Sequence, residues 1–595
     1  VALGEGLDGA ARTLDAGGLL VLPGGVDTHC HIEQLEANGA VHEESFVTAS
    51  RSAFAGGTTT AICFASQFKG HPIGPTLDEY RRRARAAMMD YSFHQIITDP
   101  TDQVIEHELP AIVAAGIRSF KVFLTYDPLH VDDAQYLRVL AAARKLGAFV
   151  TVHCENYEAI RFLTAALLAR GMTAPKYHAW SRPKVVEREA THRAIALAEL
   201  LDQPIQVFHV SCAEAAEEIA RAQARGVKVW GETCPQYVAL TAADMDRPGF
   251  EGAKFMCSPA PRTKEEHARI WEMIRRGTLD VISSDHCAFS YEGDRGKRSN
   301  GANAVFRDIP NGIPGFAARL PIIFSEGVSK GRISLDDFVR LTSTNPARLM
   351  GLAPRKGMIA VGADADLALW DPTKKVTLTN ALMQHAIDYT PYDGVEVTGW
   401  PVATIRRGDV VMRDGKVQAE PGTGRFLPRA PAERFRVLQW VYWQMANPGP
   451  MMGNANHFRN YAKTLVDDPA QLAYGTKRFT GEVDRLCGVM DAQLSAQPWL
   501  AGSEYSIADI ITWPWAMLME RILGDASVWT TYPHLKRWVD AVAARPAVQR
   551  GRDVRRDLAE RKLSEEEEKT RRALLFNQTN DKVRAAREAA AKAGR

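Results

Sequence analysis

From about Leu20 to Ser290, short apolar runs alternate with longer stretches of helical period. Thr59–Phe64, Ser119–Leu124, Ala148–His153, Ile205–Val210, Val227–Trp230 and Leu279–Ser284 read as buried strands. Between them lie Ala- and Arg-rich stretches of helical pattern, among them Leu77–Met89, Ala134–Leu146 and Glu187–Leu201. Strand–helix alternation of this kind predicts βα units on a parallel sheet. So many units in one stretch predict an α/β fold closed into a (β/α)8, or TIM, barrel over 23–354.

The flanks have another rhythm. Arg355–Val376 and Gly399–Val417 are strand-like, with a hairpin signal at Asp414-Gly415. With Ala2–Leu22 they predict a small β-sandwich over 1–22 and 355–420. Gln418–Pro431 is rich in Pro, Gly and Arg, and a linker is placed at 421–433. After Ala432 the pattern is helical without clear strands, which predicts an all-α C-terminal domain over 434–580. Ser506-Ile507-Ala508-Asp509 resembles a capping-box start for an apolar helix, and Trp513 and Trp515 read as core. Leu563–Arg595 is charged and Ala-rich, a solvated helix or frayed tail, with 581–595 set aside as tail.

Composition narrows the classes. The 595 residues carry a net charge of +2, so nothing global points to nucleic acid or a membrane surface. No apolar run approaches the roughly 18 residues of a membrane span. Val1–Ala10 shows no secretion signal. The eight cysteines are scattered and form no CxxC pair, which reads as buried free thiols in a reducing cytoplasm.

Candidate chemistry then gathers at strand ends. His29 and His31 follow the run Leu19–Val26, and i, i+2 residues on a strand share a side. A lone His-x-His is weak evidence of a metal site. However, His153 ends one predicted strand, His209 lies near the end of another, and Asp285 follows a third. That end of a barrel is where active sites are built. Lys121 lies inside apolar SFKVF, where an ammonium must be paired or neutral. As a neutral amine it can take up carbon dioxide to form a carbamate that bridges two cations. The competing reading pairs Lys121 with a carboxylate such as Asp285. His286 and Cys287 read as supporting or core residues, and His192 as a surface helix residue. Ser290–Gly301 reads as a mobile loop near the site mouth or a plain solvated connection. Asn577 matches N-x-T formally, a signal without use in the cytoplasm.

The strand-end histidines, Lys121 and Asp285 sit in motifs that, over about residues 1–428, resemble the dihydropyrimidinase and hydantoinase branch of the amidohydrolase superfamily. The motifs are GGVDTHCHIE, AGGTTTAICF, SFKVFLTY, VTVHCEN, FHVSC, GETCPQY, CSPAPR, SSDHCAF, IPNGIPG and TNPARLMGL. The resemblance implies two zinc ions, the first held by His29, His31 and Asp285, the second by His153 and His209, with carboxylated Lys121 as the bridge. It implies Tyr126 as the donor to the oxyanion, and Ser258 and Asn311 as binders of the ring amide, largely through backbone groups. The implied reaction is attack of a metal-bridging hydroxide on a cyclic amide, with Asp285 moving the proton to the leaving nitrogen. A dihydropyrimidine or hydantoin would give an N-carbamoyl amino acid. The family also implies a homo-oligomer, a tetramer or dimer.

One departure bears on the substrate. IEQLEANG follows His31, where most relatives carry a more apolar loop, and Glu33 stands where dihydroorotases place an arginine for the substrate carboxylate. That argues against a carboxylated substrate. An allantoinase-like amide hydrolase and a non-catalytic scaffold relative are the competing functions. The complete ligand set argues against the scaffold.

Trp440–Gly551 resembles the helical C-terminal domain of a bacterial glutathione S-transferase, close to the nu-class type. The match is carried by WQMANPGPMMGNANHF, EVDRLCGVMDAQL, WLAGSEYSIADIITWPW and YPHLKRWVDAVAARPAVQRG. Nothing between Gly415 and Arg434 could hold the βαβ unit of a glutathione-binding half. Glutathione binding is therefore not expected, and the module reads as a packing or docking domain, or as the product of a joined gene.

Overall fold

The computed structural model describes residues 13–35, 41–429, 432–464, 468–502, 505–553 and 564. Residues 1–12 of the expected sandwich, Asn577 and nearly all of the charged tail lie outside them. The chain divides into two compact units, Val1–Phe435 and Arg436–Arg595.

The first unit is built on two sheets. The short strand β1 (Leu20–Pro23) belongs to the smaller one. Barrel strands follow in chain order: β2 (Gly25–His31), β3 (Thr58–Ala65), β4 (Asp90–Ile96), β5 (Ser119–Phe123), β6 (Phe149–His153), β7 (Ile205–Val207) and β8 (Val229–Thr233). Each is parallel to the next. The eighth strand is broken in two. Its first half, β9 (Leu279–Ile282), pairs with β8, and its second half, β10 (His286–Cys287), pairs with β2. The break at Ser283–Asp285 closes the ring.

Two strand expectations need correction. The run Leu19–Val26 is not one strand: it is cut at Gly24, so that Leu20–Pro23 joins the small sheet and Gly25 opens the first barrel strand. His29 and His31 lie on that strand rather than past it. Strand β4, missed in the apolar pattern, reads DYSFHQI, polar and apolar by turns. All seven residues are buried, because the lumen of this barrel accepts polar side chains.

The smaller sheet is antiparallel, in the order β1, β11 (Leu367–Thr377), β12 (Glu396–Arg406), β13 (Asp409–Arg413), β14 (Lys416–Val417). Asp414 and Gly415 make the hairpin turn, both with positive φ (48° and 74°), the requirement of the favoured two-residue loop. Residues 422–429, expected as linker, are strapped to the barrel. Tyr91 N–H donates to the Arg425 carbonyl, Leu427 N–H to Tyr91, and Arg429 N–H to Gly116.

A buried ion cluster joins barrel and sheet. Lys356 Nζ lies 2.7 Å from both Asp90 on β4 and Asp366 just before β11, and 3.0 Å from Asp364.

The second unit has no named strand among its described residues. Its longest helix, Pro469–Ala496, supplies Val483, Cys487, Met490 and Leu494 to a core shared with Met452, Trp513, Leu535 and Trp538. Ser506 caps the helix Ile507–Ala516, with Asp509 bonded back to the Ser506 N–H in the capping box read from the sequence. Asp509 also accepts from the Trp538 indole at 2.8 Å, and the Trp513 indole donates to the Val539 carbonyl at 3.0 Å. Among the described residues no helix is long and apolar enough to cross a membrane.

Removing Lys356's charge leaves Asp366 buried without its cation and Asp90 with Arg407 alone. Lys356→Met is expected to destabilise the barrel by about 3–5 kcal/mol, the cost of breaking a buried pair from one side. The shift of the barrel's urea midpoint measures it, and a shift within error would show that the cluster is not a joint.

Candidate active site

The register of β2 against β3 shows how the first ligands are aimed. Asp27 pairs with Ala61 and Cys30 with Cys63, three steps on one strand against two on the other. The extra residue is a β-bulge, a device that re-aims side chains. Val26 packs with Ile62, Phe64 and Phe208, and His29 meets the same Phe64 and Phe208 rings. Two residues three apart thus reach one side of the sheet. His31 joins His29 there, with ring centroids 5.6 Å apart.

Asp285 comes from the break in the eighth strand. Its φ of 49° is in the left-handed region, and one carboxylate oxygen lies 3.0 Å from His29 Nε2 and 3.7 Å from His31 Nε2. These three residues form a buried group able to hold a metal ion. His153 closes β6, and His209 lies two residues beyond β7, which ends earlier than its apolar run suggests. Their rings stand 4.3 Å apart, and His209 is 5.2 Å from His29. His209 and Tyr126 also have positive φ (41° and 72°). Such strain in non-glycine residues concentrates at functional sites.

Lys121, in the middle of β5, is fully buried. Among the described residues its Nζ has no hydrogen-bond partner, and it lies 4.3, 4.8 and 5.7 Å from the ring centroids of Phe208, Phe123 and Phe64. The paired alternative is thus not seen: among the described residues Lys121 makes no ion pair. Burial pulls its ammonium down to about 7, against the opposing pull of Glu232 and Asp285. Burial likewise holds His29, His153 and His209 well below the usual imidazole range, and His31 at about 4. All four are neutral near pH 7, the form that binds metals. Asp285 is raised, chiefly by burial.

His29, His31, Tyr126, His153, His209, Ser258, Asp285 and Asn311 line one cavity of about 1200 Å³. The Tyr126 ring lies 5.2 Å from His153 and is covered by the Arg182 guanidinium. Ser258 Oγ lies 3.2 Å from His178 Nε2, which is 3.0 Å from the Cys257 carbonyl. The Asn311 side-chain oxygen is buried without a partner among the described residues.

Several supporting residues escaped the sequence reading. Glu232, in the quoted GETCPQY motif, lies 2.6 Å from His29 Nδ1 and leaves Nε2 to face Asp285. Glu155, two residues past His153, holds His153 Nε2 at 2.8 Å and is itself paired with Arg182 at 2.6 Å. Gln34 holds His31 Nδ1. Acidic residues flanking strand-end histidines were the available signal, since ligating imidazoles usually give their other nitrogen to such an acceptor. Glu33 does not face the substrate cavity and so says nothing about a carboxylated substrate. Its carboxylate accepts from the Phe46 N–H at 2.9 Å, at the start of the helix Phe46–Ala55, and does not line the cavity. Gln34 and Leu35 are the members of that loop that do.

Comparison with known proteins agrees with this architecture. The model of the amidohydrolase family matches residues 20–411. The chain belongs to the amidohydrolase family. The D-hydantoinase of Ralstonia pickettii is 44% identical over 431 residues, 72% of this chain and 92% of the relative. That of Geobacillus stearothermophilus is 43% identical over 432 residues, 72% of this chain and 90% of its own. The solved dihydropyrimidinase of Brevibacillus agri superposes with a TM-score of 0.70 at 41% identity, covering 72% of this chain and 93% of that one. The model of the glutathione S-transferase C-terminal domain matches residues 465–546.

Within an amidohydrolase site, Glu232→Gln tests whether orientation of His29 matters. Loss of the carboxylate acceptor is expected to weaken divalent-metal binding about 10- to 100-fold, read by metal titration of chelated protein. Unaltered affinity would make Glu232 a packing residue.

Proposed function

We propose that this protein opens the ring of a cyclic amide, a hydantoin or dihydropyrimidine, by hydrolysis to an N-carbamoyl amino acid. His29, His31 and Asp285 would hold one zinc ion, His153 and His209 a second, and Lys121, as its carbamate, would be shared between them. This donor set of neutral imidazoles and carboxylate-type oxygens suits zinc.

The observation that carries the reading is the Lys121 amine. A buried Nζ ringed by aromatic faces, with nothing to accept its protons, is a poor structural element. As a carbamate it becomes an anionic oxygen donor among four neutral imidazoles, and the misfit disappears. The unpartnered Nδ1 of buried His209 fits the same account. When bound, the ions polarise the amide carbonyl and acidify the attacking water.

The chain's own residues supply the rest. Asp285 accepts the proton of the attacking water and passes it to the ring nitrogen as the C–N bond breaks and the new C–O bond forms. The Tyr126 hydroxyl donates to the carbonyl oxygen as negative charge gathers there. Backbone groups at Ser258 and Asn311 hold the ring amide. Seven buried free thiols, with Cys287 part-exposed, suit a cytoplasmic location.

The test is metal content together with ring opening of dihydrouracil and hydantoin, before and after chelation. About two zinc ions per chain are expected, with turnover lost on chelation and restored by zinc. Absence of both metal and turnover after supply of zinc and bicarbonate would sink the proposal. Tyr126→Phe is expected to lower kcat by about 10²–10³ with a smaller change in KM, as for loss of one oxyanion donor. Steady-state kinetics would show an unchanged kcat if the hydroxyl plays no such part.

A further inference from the structure

The segment Ser290–Gly301, read from the sequence as a mobile or merely solvated loop, is anchored along its length. Ser290 bonds Glu43 through its hydroxyl, and the Tyr291 and Glu292 N–H groups donate to Asp388 at 2.6 and 3.0 Å. Arg295 donates to the Val41 carbonyl at 2.9 Å. From the middle of this polar stretch one side chain turns inward. Lys297 is fully buried, and among the described residues it makes no ion pair. Its Nζ donates instead to three backbone carbonyls: Met256 at 2.9 Å, Pro310 at 2.8 Å and Gly312 at 2.6 Å.

Those carbonyls belong to two separate segments, and both carry residues assigned above to the substrate. Met256 precedes Ser258 by two residues, and Pro310 and Gly312 flank Asn311. The Met256 carbonyl also accepts from the Gly312 N–H at 3.0 Å, so it is a node between the segments. Gly312 has a φ of 149°, and a Cβ there would meet the Cys287 carbonyl at 2.4 Å. The Asn311 turn therefore lies pressed against the strand that follows Asp285.

An ammonium has three donors and no acceptor, and here each donor is used on a different carbonyl. Burying it without a counter-ion is costly, so three aligned carbonyl dipoles must offset the desolvation. A planar guanidinium could not reproduce this tripod. We propose that Lys297 is a positioning residue for the substrate, fixing the spacing between the Ser258 and Asn311 backbones so that both meet the same ring amide. It touches neither metal ligands nor reacting atoms. The inference rests on the assignment of Ser258 and Asn311 as amide binders in the proposed function.

The test compares Lys297→Met with wild type, both zinc-loaded and assayed for dihydrouracil and hydantoin ring opening. Met keeps the stem and removes all three donors. KM is expected to rise at least about tenfold, the scale of a lost charged hydrogen bond, with kcat and zinc content within about threefold of wild type. A merely structural lysine would lower the zinc-loaded fraction or Tm and leave KM alone, and that result overturns the proposal. If Lys297→Met yields no folded, zinc-loaded protein, Lys297→Gln, which keeps two donors, should show an intermediate rise in KM. A wild-type KM in that variant overturns the proposal, as does failure of both variants to fold. Turnover by wild type with unaltered KM in the variants counts against Lys297 alone. No turnover by wild type removes the parent function and this inference with it.

Discussion

The site depends on how the barrel is closed. Asp27 Oδ1 accepts from the His29 N–H at 3.1 Å on the first barrel strand and from the Ser284 N–H at 3.2 Å in the break of the eighth. Arg319 Nε lies 3.3 Å from the other Asp27 oxygen, and its guanidinium donates to Val26 at 3.2 Å and Ile282 at 3.0 Å, one carbonyl on each strand. Both side chains are fully buried. A buried ion pair is weak evidence of net stability, but it is a stringent geometric constraint. Here it fixes the first strand against the last, and the same fixation turns Asp285 towards His29 and His31. Closure of the ring and assembly of the first ligand group are one structural event.

Around that joint the lumen is arranged in two chemical layers. Phe64, Phe123 and Phe208 surround Lys121 and exclude water from it. Beyond the imidazoles stand Glu232 and Glu155, each taking one nitrogen of a histidine. Burial raises Glu232 well above the usual carboxylate range, with Lys121 opposing. The apolar layer favours neutral nitrogen donors, and the acidic layer fixes which nitrogen His29 and His153 present. Neither layer works alone: without the first the rings would be solvated, and without the second His29 and His153 could rotate.

What the sequence disclosed follows from this division. Strands packed on both faces by apolar side chains announced themselves, as in TTAICF and SFKVF, and strand-end histidines with Asp285 pointed to one face of a barrel. Strand β4 stayed hidden because alternating polar residues look solvent-facing unless the lumen is known to be polar. The cut at Gly24 was invisible because both halves of LLVLPGGV are apolar, although they serve different sheets. Glu33 misled because an acidic residue beside an active-site motif invites an electrostatic reading, whereas its carboxylate bonds the first N–H of a helix. Glu232 and Glu155 gave too little signal singly, since acidic residues near strand ends are common. In the helical unit the capping pair Ser506 and Asp509 was legible because capping is local. The part Asp509 plays in orienting Trp538, 29 residues away, was not.

Three buried lysines show why residue type and burial do not by themselves give function. Lys356 faces three carboxylates, and their charges raise its ammonium above the ordinary value despite burial. It is a joint between sheet and barrel. Lys297 faces three carbonyls, whose dipoles satisfy its donors but leave its charge uncompensated, and burial brings it to about 7. Lys121 lies over three aromatic rings and, among the described residues, has no hydrogen-bond acceptor within reach, and it too is brought to about 7. Between the last two, burial pushes the ammonium in the same direction and the partners differ. An amine whose protons are all engaged is held in place, and its value is geometric. An amine whose protons are engaged by nothing has its lone pair within reach of reaction, and its value is chemical. The inventory of partners, rather than the depth of burial, separates a lysine that positions from a lysine that can be converted into a ligand.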